Sequence, residues 1–430
     1  MASPLAATTA ESRNTWKPNP LRPVPTTGRG TDLPAIALLC AAAFMAAWSQ
    51  DHPLVCAALI VGVIVFSGRL PHLRAPDAMA LVVAAWAGAT TIWSLDHGAS
   101  ARATLNYASA ALLFVATRHV VVRMSSVLTV AACYLTGCLV RARDVITQAS
   151  TGDLPQRTDA LDLTVRFGVE GINFNFTAYT LVTGALMASL LLTVGGQARL
   201  TKLLTLAPLP VLAWGVLLNG TKGALVALLL VPVYLAVSKV LPRVALAVAA
   251  VGVPALLVLV PLGLGQDILL GFDSGFGQRT TGDLSGRLLI WPDAAASWSD
   301  SLLLGIGVGA YPLVNPLGVG AHSLLLTVGN DLGLVGLLGY VAVFALALGA
   351  YARGFPPARR RAGLFVVTLS PIWLTGHWEV ALGAWLTLGL LTALPTGRSA
   401  TSTGAGRHRR RRDGQRWRTA AVSVAGRTTA

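Results

Sequence analysis

Charge is scarce in this chain. Only 12% of its 430 residues are Asp, Glu, Lys or Arg, against about 25% in an ordinary soluble domain, while 54% are hydrophobic. So few charges cannot clothe a water-facing surface of this size, which excludes a soluble globular enzyme. Cysteine is scarcer still. Cys40, Cys56, Cys133 and Cys138 all fall in apolar runs, where they read as packing residues rather than disulfides or metal ligands. The seven histidines show no HxxxH or His–Cys spacing, so no metal site is expected. A nucleotide fingerprint is missing too: Gly305–Ala310, GIGVGA, has suitable glycines but no preceding strand and no later acid. No cofactor and no sugar-nucleotide donor are therefore indicated.

What the chain does have is long apolar runs. Those able to cross roughly 30 Å of hydrocarbon number about 12, with some 16 to 25 residues each. They lie near 33–49, 53–68, 78–94, 104–117, 124–140, 172–194, 203–219, 223–238, 244–264, 322–350, 363–376 and 380–395. The expected fold is an all-α polytopic membrane protein. Charge gives it an orientation, because Lys and Arg favour short cytoplasmic loops. With the N-terminus inside, about 25 of the 33 basic residues fall on the cytoplasmic side. Both termini are then cytoplasmic, in the cytoplasmic (inner) membrane.

The expected organisation follows from these runs. Residues 1–31 form a disordered tail without a signal-peptide core. Residues 32–264 hold nine spans with an outer loop at 141–171. Residues 265–321 form a large extracytoplasmic loop, residues 322–395 hold the last three spans, and 396–430 form a basic tail. The RHRRRR run at 407–412 reads as an anchor on anionic membrane lipids rather than a nucleic-acid site.

Polar chemistry concentrates between Ser285 and Gly336, which reads SGRLLIW, then GIGVGAYP, then AHSLLLTVGNDLGLVG. Arg287 can grip phosphate oxygens through two parallel hydrogen bonds. His322, at the mouth of the next apolar run, is suited by its ordinary pKa of about 6.5 to accept a proton at neutral pH. Trp291 is placed to stack on a sugar face, and Arg279 and Arg166 are further cations. Lys222 and Asp331 sit at or inside helix boundaries, where a charge must face protein or water. At 100° per residue Asp331 lies on the opposite helix face from His322, so it is expected to pair with a basic residue on a neighbouring helix. Gly333 and Gly336 read as close helix packing, and Gly305, Gly307 and Gly309 as a loop bending near headgroups.

These residues fall in an order that resembles the O-antigen ligase and polymerase-like family. In that pattern an Arg and an aromatic precede a glycine-rich turn, then a His, an acid nine residues later and two glycines. Here they stand at Arg287, Trp291, Gly305, Gly307, Gly309, His322, Asp331, Gly333 and Gly336, with Ser323 where the family has Asn. Upstream, IWSLD at 92–96, Asn173 and Asn175 in GVEGINFNFTA, and Thr221–Lys222 in LNGTKGALVAL are similar to other family segments, and the GHWE turn with Trp378 and Glu379 to its closing loop. The resemblance implies a C-type glycosyltransferase-like fold and transfer of a glycan from a polyprenyl-diphosphate carrier to a glycan or lipid acceptor, outside the cytoplasmic membrane and without metal. It implies His322 as base and Arg287 on the diphosphate, with Arg279, Lys222, Arg166, Trp291, Asn175 and Ser323 on substrate. Ligase and polymerase share the pattern and differ in acceptor. A 12-helix transporter or flippase is the reading from another class, opposed by the large outer loops and the absence of an evident repeat.

Overall fold

A computed structural model describes residues 33–48, 53–67, 72–152, 166–169, 172–195, 197–264, 266, 286–353 and 356–394. Among them all regular structure is helical: α1 (Leu33–Trp48), α2 (Pro53–Phe66), α3 (Ala75–Thr90), α4 (His97–Val120), α5 (Met124–Thr151), α6 (Phe174–Leu192), α7 (Arg199–Leu206), α8 (Pro208–Asn219), α9 (Lys222–Val240), α10 (Pro242–Ala247) and α11 (Val253–Leu259). After these come α12 (Arg287–Asp300), α13 (Tyr311–Val314), α14 (Leu324–Ala352), α15 (Pro356–Thr375) and α16 (Leu382–Ala393). A π-helical turn, Val248–Gly252, joins α10 to α11.

Among the described residues six helical stretches are long and apolar enough to cross a membrane: Met124–Thr151, Phe174–Leu192, Arg199–Asn219, Lys222–Val240, Pro242–Leu259 and Leu324–Ala352. Shorter apolar helices occur at Leu33–Trp48, Leu54–Phe66, Ala75–Thr90 and Leu382–Ala393. The chain is thus an all-α membrane protein. Helix covers most of each apolar run read from the sequence, but six stretches rather than about 12 have the length and apolarity of spans among the described residues. One boundary moves: α5 continues to Thr151, so residues 141–151, expected in the outer loop, are helix.

Local chemistry sets the helix ends. Asp96 caps α4 by accepting from the Ala99 N–H at 2.9 Å, and Asn173 caps α6 by accepting from the Asn175 N–H at 2.9 Å. Gly220, at φ 69°, ends α8 in the left-handed conformation. The α6 helix is central, touching α5, α8, α9, α15 and α16, and its middle is buried all round.

The two ends of the bundle differ. At one end basic side chains meet helix termini: Arg118 pairs with Asp77 at 2.6 Å, Arg361 donates to the Thr193 carbonyl at 3.1 Å and Arg360 to the Leu235 carbonyl at 2.6 Å. The other end gathers the starts of α4, α6, α9, α14 and α16 with the ends of α3 and α15.

At that second end α14 is broken. Gly333 has φ 65° and ψ −171° inside the helix, which frees carbonyls before it and amides after it. The Leu302–Ile306 loop satisfies them: the Leu334 N–H donates to Leu302 O at 2.8 Å and Ile306 N–H to Asn330 O at 2.8 Å. Trp86 Nε1 covers the Leu332 carbonyl at 2.9 Å. A broken helix at membrane depth is stable only when its freed backbone groups are met by protein or water in this way. The glycines therefore do something other than bend a loop near headgroups. A Cβ on Gly305 would lie 2.6 Å from the Asn330 carbonyl, and one on Gly333 would strike the Leu303 carbonyl. Gly333 is not a helix-packing glycine, whereas Gly336 does pack closely, against Trp86.

The same loop docks onto the IWSLD turn. Trp93 Nε1 donates to the Gly305 carbonyl at 3.1 Å, Ser100 Oγ to the Val308 carbonyl at 2.6 Å, and the Val308 N–H to Thr90 Oγ1 at 3.1 Å. Two motifs some 200 residues apart in sequence thus build one scaffold.

Candidate functional site

Arg287 opens α12 directly after Gly286, whose φ of 82° turns the chain into the helix. Its Nε and Nη2 both donate to the Thr375 carbonyl, at 3.1 and 2.8 Å, which ties α12 to the end of α15. The turn after Thr375 carries His377, whose ring centroid lies 5.1 Å from that of His322. Phe176 of α6 packs edge-on to His377 at 4.9 Å, and Tyr179 packs on Trp378 at 5.4 Å. His322 has φ 51°, the one non-glycine residue with positive φ among the described residues. Such backbone strain persists where the surroundings impose it, and it clusters at functional sites.

A second polar group adjoins the first. Arg166 Nη2 donates to Asn175 Oδ1 at 3.0 Å and to Thr221 Oγ1 at 2.6 Å. Its Nε donates to the Asn219 carbonyl at 3.2 Å, and its guanidinium lies over the Phe174 ring, 5.2 Å from the centroid. Asn219 Nδ2 holds the Phe167 and Phe174 carbonyls at 2.8 and 3.1 Å. Lys222 begins α9 beside this group. A Cβ on the next residue, Gly223, would press on Thr375 Oγ1, so the Lys222 end of α9 abuts the Arg287–Thr375 contact.

Burial and charge act together on the two histidines. His322 is pushed down to about 3, first by burial, then by His377 and then by Arg287. His377 is pushed down to about 4 by burial and by Arg287. Both rings are neutral at neutral pH, the form that can accept a proton. Burial drives Glu379, in the same turn, up to about 7. Its Oε2 is enclosed without a hydrogen-bond partner, while its carbonyl is held by Tyr340 Oη at 2.9 Å and Trp385 Nε1 at 2.8 Å.

The fold brings Arg287, His322, Lys222, Arg166 and Asn175 to one end of the bundle, and treats the remaining site residues differently. Trp291 is fully buried among Ile290, Ala294, Tyr311 and Leu326, leaving no face for a sugar. Ser323 is buried with its Oγ unpartnered, so it too offers nothing to a substrate. Asn175 is engaged in holding Arg166. Among the described residues Asp331 meets no basic side chain: the Gly309 N–H faces its carboxyl, and its charged neighbour is Glu379. Arg279 lies outside the described residues. His377, beside His322, was given no role by its sequence, and the only signal of it was the GHWE turn itself.

A polar, histidine-bearing end on an all-α membrane bundle with a broken helix is the class of protein that these features define. Residues 207–341 match the family model described as O-Antigen ligase, so that segment of the chain is similar to the family. The matched segment contains Lys222, Arg287, the glycine loop, His322 and the Gly333 break, whereas Arg166, Asn175 and His377 lie outside it. No curated protein matches the chain.

Proposed function

We propose that the chain transfers a glycan from a polyprenyl-diphosphate carrier to an acceptor hydroxyl at the outer face of the cytoplasmic membrane. The observation that carries this reading is the meeting of Arg287 with His322 inside the segment that matches the O-antigen ligase family. Transfer from a lipid diphosphate needs no nucleotide, because the leaving group is already activated. It needs an oriented hydroxyl, a base and positive charge on the departing phosphate.

The residues divide along those lines. His322 takes the proton of the acceptor hydroxyl as its oxygen attacks the anomeric carbon, and Arg287 steadies the diphosphate that leaves. Lys222, at the N-terminus of α9, adds charge where the helix dipole already favours an anion. Arg166 is held too firmly by Asn175 and Thr221 to swing, and acts as a fixed cation beside the phosphates. A histidine as depressed as His322 is a weak base in the empty site. A bound diphosphate offsets the charge of Arg287 and raises the proton affinity of the imidazole, so that the base gains strength when the donor is in place.

The orientation rests on the basic residues at the opposite end, which by the positive-inside tendency face the cytoplasm. A repeat-unit polymerase would use the same groups with a glycan acceptor. Deleting the gene tests the reading: lipid-diphosphate-linked glycan should build up in the outer leaflet and return to the parent level on complementation. Build-up confined to the inner leaflet would instead identify a flippase.

A further inference from the structure

His377 has a position that packing alone does not explain. Its ring is wedged between Phe176 and His322, at centroid distances of 4.9 and 5.1 Å. The turn that carries it is fixed on both sides. Arg287 holds the Thr375 carbonyl, and Gly376 lies so near Tyr179 that a Cβ there would come within 2.7 Å of the ring. Across the site the Gly320 backbone covers His377 Nδ1, with a Cβ there 3.5 Å away, and Nδ1 is buried without a hydrogen-bond partner. A phenyl ring would fill this place without burying an unpaired nitrogen, so the imidazole needs another reason.

We propose that His377 is a positioning residue for His322, bracing its ring and joining it in a two-imidazole unit that carries at most one proton. The proposal rests on the transfer reading above. Arg287 from α12 is the charged side chain that acts on both rings, while Glu379 acts on Asp331, Tyr107 and Tyr340. A second proton on the pair would set two imidazolium rings beside a guanidinium, so proton binding to one ring opposes binding to the other. In the reaction the acceptor O–H bond breaks as its oxygen bonds to the anomeric carbon, the proton passes to His322, and the electron pair of the broken anomeric C–O bond leaves with the diphosphate. Near neutral pH both rings are uncharged, and His377 holds the ring of His322 toward the hydroxyl.

The test uses the full chain in lipid nanodiscs with isotope-labelled histidine, His322 being assigned by its loss in His322→Asn. His377→Phe keeps the aromatic contact with Phe176 and removes the second imidazole, and His377→Gln serves if that variant does not fold. The titration midpoint of His322 should rise by roughly half a unit or more in the variant. With donor lipid extracted from the source membranes, turnover should fall roughly tenfold while the KM for donor holds. An unchanged His322 titration overturns the proposal, since a ring that only packs would leave it unmoved. The titration needs no substrate, so it stands even if transfer is never observed, and failure of transfer in the parent chain would count against the transfer reading instead.

Discussion

Arg287 holds the carbonyl of Thr375 through two N–H groups, Nε at 3.1 Å and Nη2 at 2.8 Å. The paired edge that would suit a diphosphate is therefore engaged by backbone, and a donor must compete for it. Charged hydrogen bonds of this kind contribute about 1.5–3 kcal/mol. Arg287→Lys keeps the charge but not the two-pronged edge. It is expected to weaken donor affinity and turnover together and to lower the thermal midpoint by a few degrees, checked by donor binding and melting at matched protein amount.

The break in α14 gives a second expectation. Gly333→Ala places a side chain at φ 65° against the Leu303 carbonyl, and Gly305→Ala does the same at φ 72° against Asn330. The positive-φ backbone alone costs about 1–3 kcal/mol, and the overlap adds about 1–3 kcal/mol. Both variants should show reduced membrane abundance and lower melting temperature. Gly349→Ala, with nothing within 4 Å of the added carbon, should be neutral or slightly stabilising.

The sequence carried the helices because apolar runs of span length are a local signal. It carried the order Arg287, glycine loop, His322 for the same reason. The break at Gly333 was not legible, since it depends on the Leu302 and Leu303 carbonyls reaching it from outside the helix. Trp291 reads as a ring placed to stack on a sugar face, yet the Tyr311 and Leu326 contacts that bury it are tertiary. Asp331 was expected beside a base because a helical wheel gives only its face, and that face meets the Gly309 N–H and Glu379. His377 was overlooked because no local pattern says that the turn after α15 closes over His322.

Stability should depend on pH in two directions. The folded-state pKa values of His322 and His377, about 3 and 4, lie below the ordinary 6.5, so the unfolded chain binds more protons and stability falls as pH drops below about 6.5. Glu379, raised to about 7, works oppositely: its contribution is present at low pH and lost as pH rises from about 4.5 through 7. Two histidines outweigh one carboxyl near pH 5.5. The melting temperature in detergent should therefore climb from about pH 4.5 to 6, and Glu379→Gln should steepen that climb.

Orientation is checked by labelling. In a chain without its four cysteines, Leu317→Cys, in the exposed turn before His322, should react with an impermeant reagent added to intact cells. Arg359→Cys, near the basic end, should react only after the membrane is opened. The reverse pattern would place the site on the cytoplasmic side.

The most direct measurement is the transfer rate of His322 variants at matched membrane abundance. His322→Asn suits best, because Asn tolerates the left-handed backbone that this position adopts, and His322→Ala accompanies it. A positioned base contributes about 10²–10⁴-fold, so both variants should lose transfer on that scale while still binding the donor lipid. Transfer near the parent rate in a folded His322→Asn protein would contradict the account.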